Sequence, residues 1–108
     1  MGEYQIVWRQ KARQKYVQQL MYAQQEFGSK CFYKWVESVR EMEDRLRENP
    51  RSYTRVLELK DESREYRGHI VMKNFKFIYT FDESQRVVRI VTIWDMRMSP
   101  TKLKKSIR

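Results

Sequence analysis

Apolar and polar residues alternate in steps of two through Tyr66 to Phe81, and again from Val87 to Trp94, whereas Gln10 to Leu46 repeats its apolar positions at helical spacing. The first alternating stretch reads as a hairpin turning at Lys73-Asn74, because Asn tolerates the positive φ of a two-residue turn. That turn pairs Met72 with Phe75, Val71 with Lys76, His69 with Ile78 and Arg67 with Thr80. One face then carries Ile70, Met72, Phe75, Phe77, Tyr79 and Phe81. A second turn over Glu83 to Arg86 adds Val88, Ile90, Thr92 and Trp94 to it, and this is the expected core face. The opposite face carries Arg67, His69, Val71, Lys76, Ile78, Thr80, Arg89, Val91, Ile93, Asp95 and Arg97, an apolar floor with basic groups on it, as expected of a partly covered surface.

Upstream, Tyr4, Ile6 and Trp8 alternate with polar neighbours in a short strand over Glu3 to Trp8. Ala12, Tyr16, Leu20, Ala23 and Phe27 mark a helix that Gly28 ends. Ser29 is the expected N-cap of a second helix, with Phe32, Trp35, Val36, Val39, Met42 and Leu46 as its apolar stripe, and Asn49-Pro50 stops it. The short connection makes the two an antiparallel hairpin. Thr54 to Lys60 reads as a further strand, Lys60 to Arg64 as a charged loop, and Ser99-Pro100 as a helix start. The expected fold class is α+β: an N-terminal strand, a helical hairpin packed on one face of an antiparallel β-sheet, and a short basic C-terminal segment, all in one domain over 1–108.

Charge changes the picture more than length does. Lys and Arg total 23 against 14 Asp and Glu, a net charge of +9, which favours an anionic partner, nucleic acid or an acidic protein. Candidate nucleic-acid contacts are Lys60, Arg64, Arg89, Lys102, Lys104 and Lys105. No run has the length and apolarity of a membrane span and no signal pattern opens the chain, so a cytoplasmic protein without membrane contact is expected. The single cysteine, Cys31, has no intrachain partner, and His and carboxylates show no ligand spacing. No cofactor or metal is expected.

The order strand, helix, helix, meander and basic tail resembles the RelE/ParE superfamily of toxin-antitoxin toxins. The residues that carry the resemblance are Asn49-Pro50, Tyr66-Arg67, the run Asn74-Phe75-Lys76-Phe77-Ile78-Tyr79, and Ile93-Trp94-Asp95-Met96-Arg97-Met98-Ser99-Pro100. It implies a toxin neutralised by a small antitoxin. RelE-like members cut messenger RNA in the ribosomal A site, and ParE-like members inhibit DNA gyrase without nuclease action. The basic positions of the RelE-like meander fall on Arg67, His69, Lys76 and Arg97, which the strand parity above places on one face.

In RNA cleavage by the 2′-hydroxyl, Arg67, Lys76 and Arg97 would clamp the phosphate and His69 would move protons near neutrality. Asp95 stands where some relatives have His, and would orient Arg97 or act as a base if its pKa were raised. The last Tyr or His of the chain is Tyr79, so no aromatic acid or base follows the meander. Each residue also has a plainer reading, with Arg67 and Lys76 as solvent-facing strand residues, His69 as structural, and Asp95 with Arg97 as a surface ion pair worth at most about 1 kcal/mol. The expected function is that of a RelE-like, ribosome-dependent and metal-independent messenger RNA endoribonuclease; the alternatives are a ParE-like gyrase inhibitor and a non-toxic nucleic-acid-binding domain.

Overall fold

The protein is described by a computed structural model over residues 3–108. Strand β1 (Gln5–Trp8) leads into helix α1 (Gln10–Phe27), and α2 (Ser29–Glu48) follows after one residue. That residue, Gly28, has φ of 89°, a conformation that favours glycine, and its N–H closes α1 on the carbonyls of Ala23 and Gln24. Gly28 is also the N-cap of α2. Ser29, the expected cap, is the first residue inside the helix.

The meander is β2 (Arg67–Val71), β3 (Phe75–Asp82) and β4 (Val87–Asp95), and the short helix α3 (Pro100–Ser106) ends the chain. The sheet order is β1-β4-β3-β2, with the meander antiparallel and β1 parallel to β4, so the sheet is mixed. A parallel neighbour needs a crossover, and the helical hairpin is that crossover. Its apolar stripe, Trp35, Val39, Met42 and Leu46, packs with Ala12 and Ala23 on Phe77, Tyr79, Val88 and Ile90. Buried Tyr79 donates its hydroxyl to the Pro50 carbonyl (2.5 Å), tying the central strand to the turn that follows α2.

Two local departures change which side chains share a face. The first turn has three residues, not two: Val71 pairs with Phe75, His69 with Phe77, Gly68 with Ile78 and Arg67 with Tyr79, while Met72 and Lys73 take positive φ. Every side chain of β2 is therefore on the face opposite to the one expected. Val71 is in the core and Ile70 is 46% exposed. The second departure is a bulge, since Ile78 pairs with Thr92 but Tyr79 with Ile90, leaving Val91 as an extra residue. Beyond it the parity of β4 is exchanged. Ile93 joins the core under the helices, while Thr92 and Trp94, expected there, turn with Ile78 to the far face.

That far face holds a second, smaller core. Ile78, Val91 and Trp94 are covered by Val56 and Leu59 from the 53–66 segment and by Leu103 and Ile107 from the C-terminal end. The strand expected over Thr54 to Lys60 is a single antiparallel bridge, Arg55 to Arg67, followed by a 3-10 turn at Leu57–Leu59. The turn sends Leu59 inward and leaves Leu57 exposed. The Arg9 guanidinium, at the junction of β1 and α1, donates to the carbonyls of Ser106, Ile107 and Arg108 and fastens this cover.

Candidate functional site

Arg67 opens β2 on the helix side of the sheet. Its guanidinium donates to the Glu65 carboxylate (2.7 Å) and to the Tyr53 carbonyl (2.8 Å), and its side chain is 17% exposed. The bond from Arg67 holds the Glu65 carboxyl below its ordinary range. His69, two residues on, lies on the same side and stacks on the Tyr53 ring, with centroids 4.0 Å apart and planes 23° from parallel. Burial, with the Arg45 charge as the smaller cause, holds its imidazole below the ordinary range. Both ring neighbours belong to a groove of about 850 Å³ along the C-terminal half of α2, lined also by Glu41, Arg45 and Glu48.

Lys76 projects from the other face of the sheet. Its partner across β2 is Ile70, and beside that lies Gly68, where a Cβ would come within 2.9 Å of the Lys76 Cγ. The glycine thus leaves room for the lysine stem to lie flat, with its ammonium 5.9 Å from the centre of the Trp94 ring. Trp94 itself is buried, and among the described residues its indole N–H has no hydrogen-bond partner.

Asp95 and Arg97 sit at the far end of β4. Arg97 binds both oxygens of Asp95 through Nε (2.9 Å) and an Nη (2.8 Å), and its own backbone N–H adds a third bond (3.0 Å). The side-chain bond to Arg97 keeps the Asp95 carboxyl below its usual range, the opposite of what a base near neutrality needs. Arg97 also lies over the Phe75 ring at 5.7 Å. Asp95 and Lys102 line one cavity of about 460 Å³ between α1 and α3, with Lys15, Tyr22, Phe75 and Met98. The Lys15 ammonium donates there to Thr92 Oγ1 (3.2 Å); burial first, and Lys11 second, push it below its ordinary range.

The expectation that Arg67, His69, Lys76 and Arg97 share a face is therefore corrected. The three-residue turn puts Arg67 and His69 on the helix side, Lys76 is on the opposite side, and Arg97 is beyond the end of the sheet on Asp95. Of the candidate nucleic-acid contacts, Arg64 and Arg89 line one cavity. Lys60 borders a smaller recess beside Leu57, and Lys104 and Lys105 stand exposed on α3, so these are not brought to it. Sequence reasoning missed Arg51, which borders the cavity of Arg64 and Arg89, and Tyr53, which supports both Arg67 and His69. Nothing in the local sequence marks Arg51. Tyr53 follows the Asn49-Pro50 stop closely enough to have been read as a residue folded back on the helix end.

No protein-family model matches the chain, and no curated protein matches it. Among the described residues, no helix is long and apolar enough to cross a membrane.

Proposed function

We propose that the chain is a toxin of the RelE/ParE kind, kept inactive in the cytoplasm by a small acidic antitoxin, and that it acts by binding its target, in the ParE-like manner, in place of cutting RNA. The superfamily part rests on the order of elements, with a helical hairpin crossing from the first strand to a meander, and on the net charge of +9. Such a fold carries more than one activity, so the mechanism has to come from the site.

The observation that carries the binding mechanism is the dispersal of the catalytic candidates. Charge on a phosphate in the transition state is stabilised by donors aimed at one point, and acid-base work needs a group within hydrogen-bond reach of the moving proton. Arg67 is engaged by Glu65 and the Tyr53 carbonyl, Lys76 projects from the other face, and Arg97 is held by Asp95. A ParE-like inhibitor needs none of these groups to converge.

The test is to express the chain without antitoxin, map messenger RNA ends on translating ribosomes, and assay gyrase supercoiling in parallel. Intact messages with blocked supercoiling are expected. Cleavage confined to ribosome-bound messages, and lost in folded Lys76→Ala and Arg97→Ala variants, would replace this mechanism with the RelE-like one. If neither activity is seen and no antitoxin reading frame adjoins the gene, the superfamily reading itself fails.

A further inference from the structure

Strand β1 accompanies β4 only as far as Ile90, so among the described residues the last part of β4 has no strand on that side. The space left between this edge, α1 and α3 is the cavity of about 460 Å³ lined by Lys15, Asp95 and Lys102. Its walls are mainly apolar, with Phe75, Ile93 and Trp94 from the sheet, Tyr22 from α1 and Met98 from the turn before α3. We propose that this cavity binds a small carboxylic acid with an aromatic or branched aliphatic body, held as the carboxylate by Lys15 and Lys102, and the proposal is independent of the toxin reading.

The charges select the head group. Lys15 and Lys102 form no ion pair among the described residues: Lys15 donates to the Thr92 hydroxyl (3.2 Å), and Lys102 lies 4.0 Å from the Met98 sulfur, a weak acceptor. Asp95, the one carboxylate among the described residues of the lining, is held at both oxygens by Arg97, and that pair is neutral. The two ammoniums are therefore the uncancelled charge of the cavity, one for each oxygen of a single carboxylate. Burial first, and Lys11 second, hold Lys15 below its ordinary range, a penalty that an anion beside it offsets. Among the described residues no arginine lines the cavity, so it lacks the planar fork that suits a phosphate. The walls select the body. Apolar walls contribute only when apolar ligand surface replaces water on them, and the volume is that of a small-molecule site. A head group alone would leave Phe75, Tyr22 and Met98 wet. Phe75, Ile93 and Trp94 belong to the two central strands, so these walls are in place before the ligand arrives.

The carboxylate can come as a free acid or as the end of a peptide, and both present the same two oxygens beside an apolar group. The experiment follows the backbone amides and the tryptophan indole N–H signals of the full chain by NMR while phenylacetate, phenylacetamide, acetate or the tripeptide glycyl-glycyl-phenylalanine is added. Phenylacetate is expected to shift the Trp94 indole signal and the amides of Ile93 and Asp95. Phenylacetamide has the body without the charge and acetate the charge without the body, so each should bind at least about tenfold more weakly. That comparison needs no substitution, so it stands even where a variant disturbs the fold. Lys15→Gln and Lys102→Gln replace exposed side chains and should each weaken phenylacetate binding about threefold to tenfold. Lys104→Gln, on the same helix as Lys102 but outside the cavity lining, should bind as the wild type does. Binding of the tripeptide no tighter than that of phenylacetate would identify the free acid as the ligand, and tighter binding would identify a peptide C-terminus. The proposal is overturned if phenylacetate leaves those signals unmoved at about 10 mM, if phenylacetamide or acetate binds as tightly, or if Lys104→Gln loses as much affinity as the variants of the two lining lysines.

Discussion

Arg67 and Arg97 are both arginines of the meander, and their surroundings make them respond differently to the same substitution. Arg67 is largely covered and is the donor to a carbonyl and a carboxylate. Arg67→Ala leaves the Tyr53 carbonyl without its partner and should cost about 2 kcal/mol in urea unfolding. Arg97→Ala removes one exposed, solvent-screened pair and should leave the urea midpoint close to the wild-type value. Loss of activity in an Arg67 variant therefore speaks to function only when folded protein is quantified alongside it. His69 gives a second test, since it is the chain's one histidine. Its folded pKa is below the unfolded one, so on acidification the unfolded chain takes the proton first, and the stabilisation present near neutrality is lost as pH falls through and below the ordinary histidine range. Glu65 and Asp95, shifted below their own ordinary ranges, are still ionised at pH 5. The drop in Tm between about pH 7.5 and pH 5 should accordingly be smaller in His69→Gln than in wild type; an equal drop would mean that burial beside Arg45 does not disfavour the charged imidazole.

Among the elements, the two long helices and β3 were legible because each buries one continuous stripe. The helices span 10–27 and 29–48, ending at Gly28 and Asn49 as expected and differing only in that Ser29 lies inside the second, and Phe77 and Tyr79 lie under them as expected. The first turn was not legible from residue preference. Asn74 is the residue that tolerates positive φ most readily, yet Met72 and Lys73 are the ones that adopt it, because burying Val71 outweighs the local cost. The bulge at Val91 had no signal either. It lies within the unbroken run Val87 to Trp94, with no glycine to mark it, and only the need of both cores for apolar side chains places it. These two departures moved the candidate site, because strand parity was the whole basis for gathering it on one face. The C-terminal element was legible as a helix start but not as a cover. Leu103 is fully buried against the second core. Leu103→Ala should cost about 3 kcal/mol by denaturant titration, with amide exchange rising first in α3 and in the turn at Leu57–Leu59.

For the molecule as a whole, the sign of the charge sets how partners arrive more than how tightly they stay. With a net charge of +9, association with the proposed acidic antitoxin should be steered from a distance and slow as salt is added, with the dissociation rate changing less. Stopped-flow association across about 0.05 to 0.5 M salt measures this, a range over which the screening length falls below about 5 Å. An association rate independent of salt would remove electrostatic steering from the account.

The pairing of β1 with β4 also orders events in time. Gln5 and Val87 are register partners at opposite ends of the chain, and the helices between them bury their apolar stripe on strands made after them. A chain emerging from the ribosome can form its hairpin early but has no sheet to close it on until β4 is out. Contacts so distant in sequence are slow to form and late to be rewarded. Until β4 is made the chain thus has neither core, and the side chains of the far face have no common scaffold. Under the toxin reading proposed above, the chain would in this way be harmless until β4 is made, which would leave the proposed antitoxin that interval in which to be present.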